Sequence, residues 1–234
     1  LRRAHLSFED LAYVISTGYG RMNVPFADGQ ITEVTCHAQG VFHLFPGTRT
    51  IIDIGGQDSK AIKLNAEGKM ADFAMNDKCA AGTGRFLEAI AETLALDLKE
   101  LGELSLKAGT PVKISSICTV FAEQEVVGHL ADGKRLEDVL GGLHEAFASR
   151  IQSMAVPVKI EAPVVLTGGG AKNIGLRRAL ERRLGYELLI PPEPLITGAL
   201  GAALLAKERW KKAVAQGLPL NKEKRKLEAA KFYH

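Results

Sequence analysis

The chain has 234 residues, of which 46% are hydrophobic and 24% charged, and this length suits one large domain or two small ones. A net charge of +3 is too near balance to indicate nucleic acid or a membrane as the main partner. Three cysteines exclude a secreted disulfide framework, and no apolar run approaches the roughly 20 residues that cross a bilayer. We therefore expect a globular cytoplasmic protein.

Strand and helix patterns alternate along the chain, which predicts an α/β architecture. A short strand at 12–17 precedes a helical pattern between Ile31 and Phe42, and a Pro-Gly break then leads into three strands, IIDIGG, KAIKLN and KMADFAMN. Strands are also predicted at KISSI (113–117) and PVVLTGGG (163–170). The remaining helices are predicted near Phe86–Leu94, Phe121–Leu130, Leu136–Met154, Arg177–Leu184 and Gly198–Trp210.

The first glycine-rich loop follows the strand IIDIGG. Glycines there let backbone N–H groups approach phosphate oxygens, so Gly55 and Gly56 are candidate nucleotide-binding residues. Asp53 at the strand's end could hold Mg²⁺ through water, and Gln57 and Asp58 could orient a water or a metal ligand. The alternative is a β-hairpin turn whose glycines serve geometry only.

The second loop, TGGGAKNIG, also connects a strand to a helix. Its glycines, Gly168, Gly169 and Gly170, leave a flat surface on which a base or a ribose could lie, and Asn173 follows them. The alternative is a flexible connection. Because neither a Walker A string nor a dinucleotide-binding fingerprint is present, the nucleotide hypothesis depends on both loops together.

Cys79 and Cys118 each precede a predicted helix, where free N–H donors and the helix dipole favour a thiolate. A 4Fe–4S cluster needs four thiolates, so a homodimer would place two copies of each cysteine around one cluster on its axis. The alternative is that both are buried free thiols. Cys36 is assigned to a core, and Glu123 and Glu125 could reach a ribose or simply solvate a helix.

Five segments occur in order: IIDIGGQDSK, NDKCAAGTGRFLE, SSICTVFAEQE, TGGGAKNIG and TGALGAALLA. Together they resemble the BadF/BadG/BcrA/BcrD-type ATPase family, which contains activators of 2-hydroxyacyl-CoA dehydratases and ATPase subunits of benzoyl-CoA reductase. The resemblance extends from about Thr17 to Lys207.

The resemblance implies the actin-like fold of the acetate and sugar kinases, actin and heat-shock ATPases, with two RNase H-like domains around ATP and Mg²⁺. It makes IIDIGGQDSK the second phosphate loop and TGGGAKNIG the adenosine loop. It also makes Cys79 and Cys118 ligands of one 4Fe–4S cluster at the interface of a homodimer or a homologous heterodimer.

The family's first phosphate loop has no match in this sequence. We therefore expect the first RNase H-like domain to be incomplete, either because the sequence is a fragment or because the missing half comes from elsewhere. We also expect weak ATP hydrolysis by this chain alone. The expected division is a remnant of the first domain at 1–48, the second domain at 49–194, a connecting helix at 195–208 and a basic tail at 209–234.

The function implied by the resemblance is ATP-dependent donation of one low-potential electron to an iron–sulfur acyl-CoA dehydratase or reductase. Asp53 would assist Mg²⁺, Gln57 would order the attacking water or sense the γ-phosphate, and the three glycines beginning at Gly168 would seat the nucleoside. A sugar kinase of the same superfamily, or an ATPase-like binding module without catalysis, are the alternatives.

Overall fold

The structure, a computed structural model, describes residues 5–115 and 118–218. The chain divides into two compact units, one formed by Leu1–Pro46 with Ile196–His234 and the other by Gly47–Leu195. Among the described residues, no helix is both long enough and apolar enough to cross a membrane.

The larger unit is built on a mixed five-stranded sheet. Its strands are β3 (Thr50–Ile54), β4 (Ser59–Leu64), β5 (Met70–Asn76), β6 (Val164–Thr167) and β7 (Leu188–Leu189). They lie in the order β5-β4-β3-β6-β7, in which β3, β4 and β5 form an antiparallel meander and β6 and β7 run parallel to β3. Strand β3 is therefore central and fully buried, as its apolar sequence predicts.

Five helices belong to the same unit. They are α2 (Gly84–Thr93), α3 (Leu98–Ser105), α4 (Thr119–Ala131), α5 (Leu136–Ala155) and α6 (Ile174–Leu184). Apolar residues of the sheet, such as Ile52 and Leu166, form one core with Ile90 of α2, Leu143 of α5 and Leu180 of α6. This burial is the main stabilising term of the unit.

The structure contradicts the strand predicted at KISSI, because the described residues of that segment, 113–115, have no strand partner. The N–H of Ser115 donates instead to the carboxylate of Glu125 at 2.7 Å. The last two residues of the predicted strand lie outside the described residues. The structure also contains α3, which the apolar pattern did not predict.

In the described part of the smaller unit, the strands are β1 (Ile15–Ser16) and β2 (Gly29–Gln30), and the α-helices are α1 (Glu33–Leu44) and α7 (Thr197–Ala215). Helices α1 and α7 pack closely because a glycine of each helix faces the backbone of the other. A Cβ at Gly40 would overlap the carbonyl oxygen of Thr197, and a Cβ at Gly201 would overlap that of Cys36. Helix α7 continues past the predicted end of the connecting helix at residue 208.

We expect Gly40→Ala to destabilise the protein by about 1–3 kcal/mol, since the added methyl group must push α7 away from α1. Chemical denaturation followed by circular dichroism measures this change. Gly128→Ala in α4 is the matched control, because no atom lies within 4 Å of its added Cβ. Equal stability of the two variants would contradict the close packing of α1 and α7.

Candidate functional site

One row of polar side chains crosses the centre of the sheet. Asp53 on β3 lies directly opposite Lys60 on β4 and Thr167 on β6, so all three side chains point to the same face. The Thr167 hydroxyl donates to Oδ1 of Asp53 at 2.8 Å, and Nζ of Lys60 lies 3.6 Å from Oδ2. Thr167 and Lys60 therefore fix the orientation of both carboxylate oxygens of Asp53.

The first glycine loop, residues 55–58, is called here the phosphate loop. The N–H of Gly55 donates to the carbonyl of Asp58 at 2.9 Å, which closes a tight turn after β3. The Asp58 carboxylate lies 2.7 Å from Nζ of Lys60, whose side chain is only 4% exposed. Lys60 thus joins the buried Asp53 to the partly exposed Asp58, while Gly56 and Gln57 are exposed at the tip of the turn.

The second glycine loop, residues 168–170, meets the end of β3 beside the phosphate loop. Gly168 has φ +78°, which favours glycine, and a Cβ there would overlap the carbonyl oxygen of Ile54. Gly170 likewise faces the side chain of Ile54, whereas a Cβ at Gly169 would have more space, with the nearest atom 3.8 Å away in Leu195. The structure therefore brings the two predicted loops together at one end of the sheet.

Asn173 has a different position from its predicted one on a nucleoside surface. It is buried, and its Oδ1 accepts from the N–H of Leu176 at 2.9 Å as the N-terminal cap of α6. Its Nδ2 donates to the carbonyl of Leu98, and Nε2 of His144 lies 3.2 Å from Oδ1. Asn173 therefore orients the helix that follows the second loop.

His144 is a buried partner of Asn173 to which the sequence pattern assigned no role. Its Nδ1 donates to the carbonyl of Leu140 at 2.8 Å. Burial lowers the pKa of His144, and its hydrogen bonds oppose this shift only in part. His144 therefore contributes to packing and hydrogen bonding around Asn173.

The carboxylates of Glu123 and Glu125 both accept hydrogen bonds from other segments of the larger unit. On α4, Oε1 of Glu123 accepts a hydrogen bond from the hydroxyl of Thr93 on α2 at 2.7 Å. Glu125 binds the N–H and hydroxyl of Ser115. Both carboxylates therefore join segments of the unit to one another.

The cysteines divide into two kinds. Cys36 is fully buried in the smaller unit, and burial raises the pKa of its thiol. Cys79 and Cys118 are exposed, the first in the segment 77–83 before α2, called here the cysteine loop, and the second at the N-cap of α4. Only the two exposed thiols can reach a metal site shared with another molecule.

A cavity of about 150 Å³ lies beneath the cysteine loop. Its walls include Ala81 and Gly82 of that loop, Ser115, and Arg150 of α5. The Nε atom of Arg150 is buried and has no hydrogen-bond partner among the described residues. Arg150 as a whole is only partly buried, and its positive charge beside the cysteine loop would suit a negatively charged thiolate-bound group. Among the described residues, no group of three or more His, Cys, Asp or Glu side chains is placed to hold a metal ion.

Lys60 was not predicted as a site residue, although it ends the segment IIDIGGQDSK. A lysine in an alternating strand is normally a solvent-facing residue, and only the pairing register places this one between two carboxylates. Thr167 was missed for the same reason, since its role depends on β6 lying in register with β3.

Comparison with known proteins identifies a family. The BadF/BadG/BcrA/BcrD ATPase family matches residues 1–206. The 2-hydroxyisocaproyl-CoA dehydratase activator of Clostridioides difficile is 49% identical over 208 residues, covering 89% of this chain and 78% of the relative. Its structure with bound ADPNP has a TM-score of 0.88 at 47% identity, covering 92% of this chain and 80% of that chain.

Two more distant proteins extend the comparison. One of the subunits of benzoyl-CoA reductase from Thauera aromatica is 35% identical over 223 residues, covering 93% of this chain and 79% of the relative. MreB 5 of Spiroplasma citri has a TM-score of 0.51 at 17% identity, covering 82% of this chain and 63% of that chain, which is a likeness of fold alone. The expected actin-like α/β fold is confirmed.

We expect Lys60→Met to destabilise the larger unit by about 3–5 kcal/mol, because it leaves the buried carboxylate of Asp53 without its counter-charge. Denaturant unfolding monitored by circular dichroism tests this expectation. Lys99→Met, which removes an exposed ion pair with Glu103, is the control and is expected to have no measurable effect. Similar unfolding midpoints for both variants would show that the Lys60 cluster contributes no such stability.

Proposed function

The chain belongs to the BadF/BadG/BcrA/BcrD ATPase family, and we propose that it is an ATP-dependent activator of an iron–sulfur acyl-CoA dehydratase or reductase. In this role it accepts one electron from an external one-electron reductant and passes it to the partner enzyme at low potential. The higher identity to the dehydratase activator than to the benzoyl-CoA reductase component favours a 2-hydroxyacyl-CoA dehydratase as the partner.

The observation that carries the proposal is the exposure of Cys79 and Cys118, in contrast to the buried Cys36. Two thiolates from each of two chains would complete the ligand set of one 4Fe–4S cluster, which supplies one-electron chemistry when bound. Beside Cys118, Val120 and Phe121 on α4 are each 60% exposed. Such apolar exposure next to a ligand supports contact with a second copy of the chain.

Nucleotide binding is proposed at the two glycine loops. The phosphate loop would approach the phosphates, and the loop that begins at Gly168 would seat the nucleoside, with Asn173 holding α6 behind it. Asp53 would hold Mg²⁺ through water, because its carboxylate is fixed by Thr167 and Lys60. Gln57, exposed at the tip of the turn, would orient the attacking water.

Substitution of either exposed cysteine tests the redox part of the proposal. We expect Cys79→Ser and Cys118→Ser each to abolish the absorption and electron paramagnetic resonance signals of a 4Fe–4S cluster in protein purified without oxygen. Cys36→Ala is the control and is expected to retain four irons for each pair of chains. A full cluster in either serine variant, or a colourless wild-type monomer, would overturn the ligand assignment.

Substitution of Asp53 tests the nucleotide part. We expect Asp53→Asn to lower kcat for Mg²⁺-dependent ATP hydrolysis by about 100-fold or more, because metal-assisted charge stabilisation is worth several kcal/mol. Phosphate release measures the rate, and circular dichroism verifies folding. Asp72→Asn on the exposed strand β5 is the control. Equal rates for the two variants would remove Asp53 from the site.

A further inference from the structure

The cysteine loop is held at the end of the sheet by two neighbouring strand residues. Ser59 on β4 lies opposite Asn76 on β5 in the pairing register. The buried hydroxyl of Ser59 donates to the carbonyl of Gly82 at 2.6 Å. Nδ2 of Asn76 donates to the carbonyls of Cys79 at 2.9 Å and Ala81 at 2.8 Å. Three carbonyls of one short segment thus depend on two side chains.

The same segment is joined to the phosphate loop through backbone. The N–H of Gly84 donates to the carbonyl of Gly55 at 2.8 Å, and that of Arg85 donates to Gly56 at 2.9 Å. A Cβ at Gly84 would lie 3.1 Å from both the Gly55 oxygen and the Gly56 Cα, so this approach is as close as glycine allows. The start of α2 therefore rests directly on the proposed phosphate-binding turn.

Ser59 and Lys60 are adjacent in β4, so their side chains point to opposite faces of the strand. On one face Lys60 contacts Asp53 and Asp58, and on the other Ser59 contacts Gly82. Phosphate or Mg²⁺ would change the charge around the carboxylates of Asp53 and Asp58. The start of β4 carries both Lys60, which contacts these carboxylates, and Ser59, which contacts the cysteine loop, so its backbone connects the two.

We infer that Ser59, supported by Asn76, is a positioning residue that couples the phosphate loop to the ligand segment of Cys79. The inference rests on the proposed function. Ser59 touches neither nucleotide nor metal in this role, and it acts through the carbonyl of Gly82. A buried carbonyl that loses its donor is costly, so the cysteine loop must follow the start of β4 when that strand end moves.

The test measures how nucleotide changes the accessibility of the cluster. In the 4Fe–4S-loaded protein, the rate of iron release to a chelator is compared with and without ADPNP, and the ratio of the two rates is the coupling. We expect Ser59→Ala to bring this ratio about fivefold closer to one, because the loss of one hydrogen bond corresponds to a change of about that size. If the wild-type ratio is itself smaller than this, the variant should show no effect of nucleotide.

Ser105→Ala is the matched control. Ser105 is also a buried serine of the larger unit, and its hydroxyl donates to the carbonyl of Gly102 at 2.7 Å, but that bond lies within α3. A merely structural effect would alter both variants alike in thermal stability and leave both ratios at the wild-type value. That result overturns the inference, as does a wild-type ratio of one.

A second pair of variants applies if Ser59→Ala does not fold. Asn76→Ala removes the donors to Cys79 and Ala81 from a partly exposed position and is expected to lower the ratio as well. Its control, Asn65→Ala, removes an asparagine at the opposite end of the β4–β5 hairpin, where Oδ1 accepts from the N–H of Glu67 and Lys69. Equal ratios for these two variants overturn the inference, whereas a wild-type protein that takes up no cluster overturns the proposed function instead.

Discussion

The buried ammonium of Lys60 allows two carboxylates to occupy the end of one sheet. Without it, the buried Asp53 would be an uncompensated ion, at a cost of several kcal/mol, next to the like charge of the partly exposed Asp58. The pairing is unequal, since Nζ lies 2.7 Å from Asp58 and 3.6 Å from Asp53. Asp58 is therefore held by the lysine, and Asp53 keeps the weaker contact, which suits the Mg²⁺ role that we propose for it.

The sheet register explains how much of this site could be read from the sequence. Two buried strands that end in glycines predict two loops close to a ligand, and the structure brings both loops to Ile54. Their meeting follows from the parallel pairing of β3 with β6, which aligns Asp53 with Thr167. Nothing in the local sequence encodes that alignment, and the position of Lys60 depends in the same way on the antiparallel register of β4 with β3.

Two errors in secondary structure have specific physical causes. The β-branched residues of KISSI favour a strand, but the Glu125 carboxylate satisfies the N–H of Ser115 before a neighbouring strand can. Helix α3 has only eight residues and a short apolar pattern, yet its start carries a complete capping box. Asp97 accepts from the N–H of Glu100, whose side chain returns a bond to the N–H of Asp97. That signal was present in the sequence and was sufficient to find the helix.

Cysteine spacing alone leaves the role of the thiols open, because exposure is a property of the folded chain. Cys36 and Cys118 are both close to helix starts, but only Cys118 lies at a cap that faces solvent. The loop of Cys79 is exposed, yet its backbone is anchored by the donors of Ser59 and Asn76. The Ser59 donor extends from the strand that also carries Lys60, so the proposed cluster-ligand segment and the proposed phosphate loop both contact β4. If only solvent-exposed hydrogen bonds anchored the cysteine loop, water could replace them, and the position of the loop would no longer depend on β4.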